Sequence, residues 1–107
     1  MKALQKDRIL MYSRTVTLQV QPGKTDEAVR IYRDSVIPAA KKQHGFKGAL
    51  LLTDSTTGKG YSITEWETEA DMKAGETSGY YQEQINKFGP MVTSTPTREG
   101  FLVSLQV

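Results

Sequence analysis

The sequence predicts an α+β sandwich, in which a four-stranded antiparallel sheet carries its helices on one face. Three observations predict it. Residues 11–21 alternate between two side-chain types with the period of two that a half-buried strand imposes. Residues 25–42 change to the fourfold spacing of an amphipathic helix. The stretch Gly60–Thr68 then carries the only tryptophan, Trp66, to a strand end and hands over to a second helical region.

The composition sets the class. A chain of 107 residues is read as one domain, over 11–107, with residues 1–10 a solvated or partly disordered lead-in. Apolar residues make up 37% and charged residues 24%, the profile of a globular protein. Apolar runs stay well short of the roughly 18 residues of a membrane helix, so no membrane partner is expected. The net charge of +2 comes without a basic stripe, Lys41–Lys42 being the one adjacent pair, so no nucleic-acid partner is expected. There is no cysteine, which excludes disulfides, thiolate metal sites and cysteine nucleophiles and fits a cytoplasmic location.

In the first strand Tyr12, Arg14, Val16, Leu18 and Val20 share one face, and Pro22-Gly23 ends it. Thr25 is the expected cap of the first helix, with Asp26 and Glu27 in its opening turn where the helix dipole favours acids. Ala28, Tyr32, Val36 and Ala40 form its inward stripe, and Pro38 predicts an irregularity just before it. Gly45 stops the helix. Phe46–Asp54 follows as a strand whose middle, Ala49-Leu50-Leu51-Leu52, is apolar on both faces, as in a covered central strand.

Asp54–Gly60 has hairpin-loop composition, so Tyr61–Glu67 returns antiparallel. Thr68 with Asp71 resembles a capping box. Gly75 and Gly79, each costing about 1 kcal/mol inside a helix, predict a break between a segment ending near Glu76 and one running from about Gly79 to Phe88. The second segment presents Tyr81, Gln84, Ile85 and Phe88 inward. After a threonine- and proline-rich connection over 91–98, Phe101–Val107 alternates as a final strand.

The order βαββαβ is that of a ferredoxin-like fold. Helices on one face leave the other open, and the sequence places Leu51, Trp66 and Leu102 partly on that face. An open apolar sheet face marks an association surface, and a symmetric dimer with facing sheets would bury it.

The run His44-Gly45-Phe46-Lys47-Gly48-Ala49-Leu50-Leu51-Leu52-Thr53-Asp54, the turn Thr57-Gly58-Lys59 and the strand Ser62-Ile63-Thr64-Glu65-Trp66-Glu67 together resemble the antibiotic biosynthesis monooxygenase family. The resemblance implies a dimeric α/β barrel. It also implies oxygenation of a small aromatic or quinol-like substrate without metal or flavin, through a substrate anion that gives an electron directly to oxygen. Other members degrade heme with an asparagine, a tryptophan and a histidine. Here the corresponding neighbourhoods hold Val16 and Thr17, Gly75, and Ile85 with Asn86. The expected cofactor is therefore none.

No catalytic residue is assigned from the sequence. His44, the only histidine, and Arg14, on the otherwise apolar face of the first strand, are the candidates. The plainer reading makes His44 an exposed corner residue and Arg14 a solvated strand-end residue. Trp66, Tyr80 and Tyr81 are candidates for substrate contact, with Trp66 more often an anchor of core or interface. A metal site has no support in ligand spacing. The alternative function is a non-catalytic, ligand-binding or stress-related homodimer, with an isomerase or lyase as a third reading.

Overall fold

The structure is a computed structural model that describes residues 11–107; the lead-in expected over 1–10 lies outside the described residues. The elements are β1 (Tyr12–Gln19), α1 (Thr25–Ile31), a π turn (Tyr32–Val36), α2 (Ile37–Lys41), β2 (Phe46–Asp54), β3 (Lys59–Trp66), α3 (Glu69–Thr77), α4 (Tyr80–Asn86), a short 3-10 turn (Gly89–Met91) and β4 (Thr97–Leu102). The strands form one sheet in the order β2-β3-β1-β4, antiparallel throughout. This is the predicted ferredoxin-like order, with helices on one face.

The irregularity expected before Pro38 is the π turn. Proline offers no N–H to the preceding turn, and the wider turn carries the helix past it without a break. Tyr32 and Val36 are buried on it. Thr68 caps α3 by accepting the Asp71 N–H at 3.0 Å, as its sequence suggests. The break between α3 and α4 falls at Gly79, whose φ of +92° suits glycine, whereas Gly75 stays inside α3.

Four expectations are corrected. Thr25 is not the cap of α1. Lys24 holds that position, because the Pro22-Gly23 turn delivers the Lys24 carbonyl as first acceptor of the helix, and the Thr25 hydroxyl is buried without a protein partner. β2 is an edge strand rather than a covered central one. Its register sets Leu51 opposite Ser62, inward, and Leu50 and Leu52 opposite Ile63 and Tyr61, outward. Trp66 likewise faces the helices, since it pairs with Tyr12 across β1.

The last strand also differs. β4 covers Thr97–Leu102, through residues with no alternation, because the register along β1 decides what pairs. Gly100 lies opposite Arg14, and a Cβ there would sit 2.7 Å from the Met72 terminal methyl, the flexible end of a side chain that α3 lays against the sheet. Val103 adds one more bond to the Met11 carbonyl at 2.8 Å, and 104–107 carry no regular element.

The core has two parts between helices and sheet. Val20, Ala28, Tyr32, Val36, Phe88 and Met91 form one, and Val16, Leu18 and Tyr81 the other. The open face instead carries Leu50, Leu52, Tyr61 and Phe101, all substantially exposed. No helix among the described residues is long and apolar enough to cross a membrane.

Candidate functional site

A cavity lies between the helices and the sheet, where the two parts of the core meet. β1 contributes Arg14 to it, the π turn Tyr32, β3 Ser62, and α4 Tyr80, Tyr81 and Gln84; the remaining walls are largely aliphatic. Counted as the space open to the centre of a water molecule it is about 40 Å³, and with the open space at its mouth about 490 Å³. The inner part therefore holds a few waters, at roughly 10–15 Å³ each.

Arg14 dominates the electrostatics. It is 4% exposed, which overturns the expectation of a solvated strand end. A buried guanidinium needs partners, and they are supplied from several sides. Its Nη1 donates to the Met72 carbonyl at 3.1 Å and to Glu76 Oε2 at 3.4 Å, both on α3. Its guanidinium carbon lies over the Trp66 ring, 5.3 Å from the centre, and over the Tyr81 ring at 5.0 Å. Arg98 of β4 also lies over Tyr81, at 4.8 Å, and pairs with the second oxygen of Glu76 at 3.5 Å. Two arginines thus share one carboxylate, leaving the cluster net positive.

Gly75 makes room for this arrangement. A Cβ there would sit 3.0 Å from the Tyr80 ring, tighter than side chains ordinarily pack, and at an ordinary 3.9 Å from Arg14 Nη1, so the glycine serves the approach of the Tyr80 ring to α3. Across the cavity the Tyr32 and Ser62 hydroxyls share a buried hydrogen bond of 2.8 Å. Burial raises the pKa of Tyr32, against the opposing effects of the Ser62 bond and the Arg14 charge. Burial likewise raises Tyr80 and Tyr81, opposed by the charge of Arg14 and, for Tyr81, first by that of Arg98. These phenols therefore stay neutral at ordinary pH.

Gln84 completes the polar lining. Its Nε2 donates to the Tyr80 carbonyl at 3.3 Å, while its Oε1 is buried and has no donor among the described residues. Among the described residues, no carboxylate or imidazole lines the cavity.

The sequence candidates separate in space. Arg14, Tyr80 and Tyr81 line the cavity together. Trp66 stands behind Arg14, 1% exposed, edge-on to Phe46 at 5.5 Å, with its indole N–H on Thr64 Oγ1 at 2.9 Å. His44 is elsewhere, its side chain 88% exposed and 3.8 Å from Asp71. The fold gathers there what sequence spacing did not show: ligand atoms of His44, Glu67 and Asp71 within 4.8 Å of one another. Sequence reasoning missed Ser62, Glu76 and Arg98 as neighbours of Arg14 and the cavity. For Gln84 a signal existed, an amide on an otherwise apolar inward stripe.

The sequence profile described as antibiotic biosynthesis monooxygenase matches residues 11–87. The chain belongs to this family. Among curated proteins, two uncharacterised Mycobacterium tuberculosis proteins are 34% and 33% identical over 65 and 69 residues, 61% and 64% of this chain. The matched segments span only 28% and 31% of those relatives, so the chain corresponds to under a third of their length.

Among solved structures, this family member superposes on the Streptomyces coelicolor monooxygenase ActVA-Orf6, determined in complex with nanaomycin D, with a TM-score of 0.70 at 17% identity, over 95% of each chain. The heme-degrader MhuD from Mycobacterium tuberculosis, with two hemes bound in its active site, gives 0.72 at 19% identity, over 90% of this chain and 98% of that one. At such identities the likeness is one of fold.

The residues of this family member do not fit a histidine-ligated heme. His44, its only histidine, lies on an outer corner, and the inner cavity of about 40 Å³, walled by the Tyr80 and Tyr81 rings, is far too small for a porphyrin.

Proposed function

We propose that this protein is a monooxygenase of a small aromatic or quinol-like molecule, acting without a resident cofactor as a cytoplasmic homodimer. The observation that carries the reading is the buried, partnered Arg14 guanidinium at the wall of an otherwise apolar cavity. In so dry a setting a fixed positive charge favours a phenolate over the phenol. The chain supplies anion stabilisation rather than a base, and the substrate proton leaves to water at the mouth.

The electron-rich anion then reduces oxygen itself. For a phenol with a free para carbon the balance is phenol plus O2 giving para-quinone plus water. The para C–H bond breaks, a C–O bond forms at that carbon, and the second oxygen atom leaves as water. All four electrons come from the ring.

The test is oxygen uptake with a panel of phenols, quinols and anthrones. Uptake lost on replacing Arg14 supports the reading, and no uptake with any of them sinks it. That no carboxylate or imidazole is among the described residues lining the cavity favours a second reading, a non-catalytic binder of the same ligands. Binding without uptake would identify that case. The dimer rests on the exposed Leu50, Leu52, Tyr61 and Phe101 of the open sheet face.

A further inference from the structure

We infer that Gln84 is a specificity residue, whose Oε1 accepts a hydrogen bond from a ligand hydroxyl, so that the cavity selects a hydroxylated aromatic ring over the same ring without a donor. The inference rests on reading the cavity as the ligand site. Its basis is an imbalance in the polar lining. Arg14 bonds Met72 and Glu76, Thr64 accepts from Trp66, and Tyr32 and Ser62 bond each other. Among the described residues lining the cavity, Gln84 Oε1 is the one fully buried side-chain polar atom without a partner.

The orientation of the amide is fixed by chemistry. Nε2 donates to the Tyr80 carbonyl one helical turn earlier, at 3.3 Å. Turning the amide over would set two carbonyl oxygens against each other and leave the NH2 without that acceptor. The group left unpaired is therefore an acceptor, and the atom that satisfies it must be a donor.

A buried acceptor without a partner penalises ligands that cannot donate. A water at this position can be replaced by a hydroxyl without loss of the bond, whereas a methyl group displaces it and returns nothing. Sites built around one such polar group discriminate strongly against analogues that lack its partner. The selectivity has a direction: the hydroxyl at Gln84 keeps its proton while one beside Arg14 can lose its own, so the site retains a quinol and releases the quinone that has lost both.

Phenol and toluene test this, since they match in shape and differ in the donor. Affinities are read by titration with NMR detection, for the wild-type chain and for Gln84→Met, which keeps the length and removes the amide. The ratio of toluene to phenol dissociation constants is expected to be about tenfold or more larger in the wild type than in the variant. A second readout needs no variant: the Gln84 side-chain amide resonances of the wild-type protein shift with phenol and hold still with toluene. A ratio unchanged by the substitution, or an amide unmoved by bound phenol, overturns the inference and leaves the oxygen-uptake reading standing. Phenol failing to bind overturns both.

Discussion

Arg14 and Tyr81 stack in the interior, the guanidinium carbon lying 5.0 Å from the ring centre. This contact joins the middle of the sheet to the second part of the broken helix. Through Glu76 it also joins β1 to β4, because the same carboxylate holds Arg98. A residue that looks misplaced on an apolar strand face is thereby the point at which four elements meet.

Replacing Arg14 by methionine keeps much of the volume but removes the charge and the donors. Glu76 retains Arg98 and is partly exposed, so the loss should fall below the 3–5 kcal/mol typical of breaking a fully buried pair, at about 2–3 kcal/mol. Urea denaturation followed by Trp66 fluorescence measures it. Arg14→Lys should recover part of that stability, as the charge returns without the planar stack. If the proposed anion stabilisation operates, Arg14→Met lowers oxygen uptake by about a hundredfold.

Stability should fall at alkaline pH. Tyr32, Tyr80 and Tyr81 have pKa values raised by burial above the ordinary 10.0, so the folded chain holds their protons more tightly than the unfolded chain does. For groups raised in this way the stabilisation is fully present below the unfolded value. It is lost as pH rises from about 10 through the folded values. Denaturation midpoints measured from pH 7 to 11 should be level with respect to these groups until about 10 and then decline. Tyr32→Phe, which removes the proton and the Ser62 bond together, should shallow that decline while lowering stability at neutral pH.

Two glycines in turns should respond differently to alanine. Gly23 has φ +90° with open space around it, so Gly23→Ala meets only backbone strain, about 1 kcal/mol. Gly58 has φ +79°, and a Cβ would run into the Val20 carbonyl while lying 3.1 Å from Gln19 Nε2. That carbonyl belongs to the junction where Val20 N–H bonds to the Gly58 oxygen at 2.9 Å. Gly58→Ala should cost about 3 kcal/mol. Equal costs in thermal or chemical melts would show that the hairpin shifts freely.

Much of this architecture is legible in local pattern, because alternation and helical spacing are imposed by which face meets the core. The alternation of β1 gives its inward face, Thr68 gives the start of α3, and Pro38 gives the π turn. What was not legible depends on pairing register. Leu51, Trp66 and Leu102 look from the sequence like residues of the open face, whereas the pairing register sets all three on the helix side. β4 pairs through Arg98-Glu99-Gly100, residues without strand character, while the alternating Leu105 and Val107 remain exposed. The cavity suffers the same limit. Arg14 was visible as an anomaly, but Glu76 and Arg98 lie 62 residues from Arg14 and on another strand, and only the fold brings them together.

The open sheet face leads to the last prediction. Leu50 and Phe101 are each about half exposed, and Leu52 and Tyr61 lie beside each other across β2 and β3. Four large apolar side chains on one sheet face favour association with a second copy, in which the same patch meets itself. Sedimentation of the wild-type chain at micromolar concentration should then give twice the 11.9 kDa of one chain. Leu50→Lys puts a charge into the apolar patch of each copy and should give single chains. Because Leu50 faces away from the cavity, phenol titration of the dissociated variant also reports whether one chain holds a complete site. A wild-type chain that sediments at 11.9 kDa would remove the dimer from the proposal, and the apolar face would need a different partner.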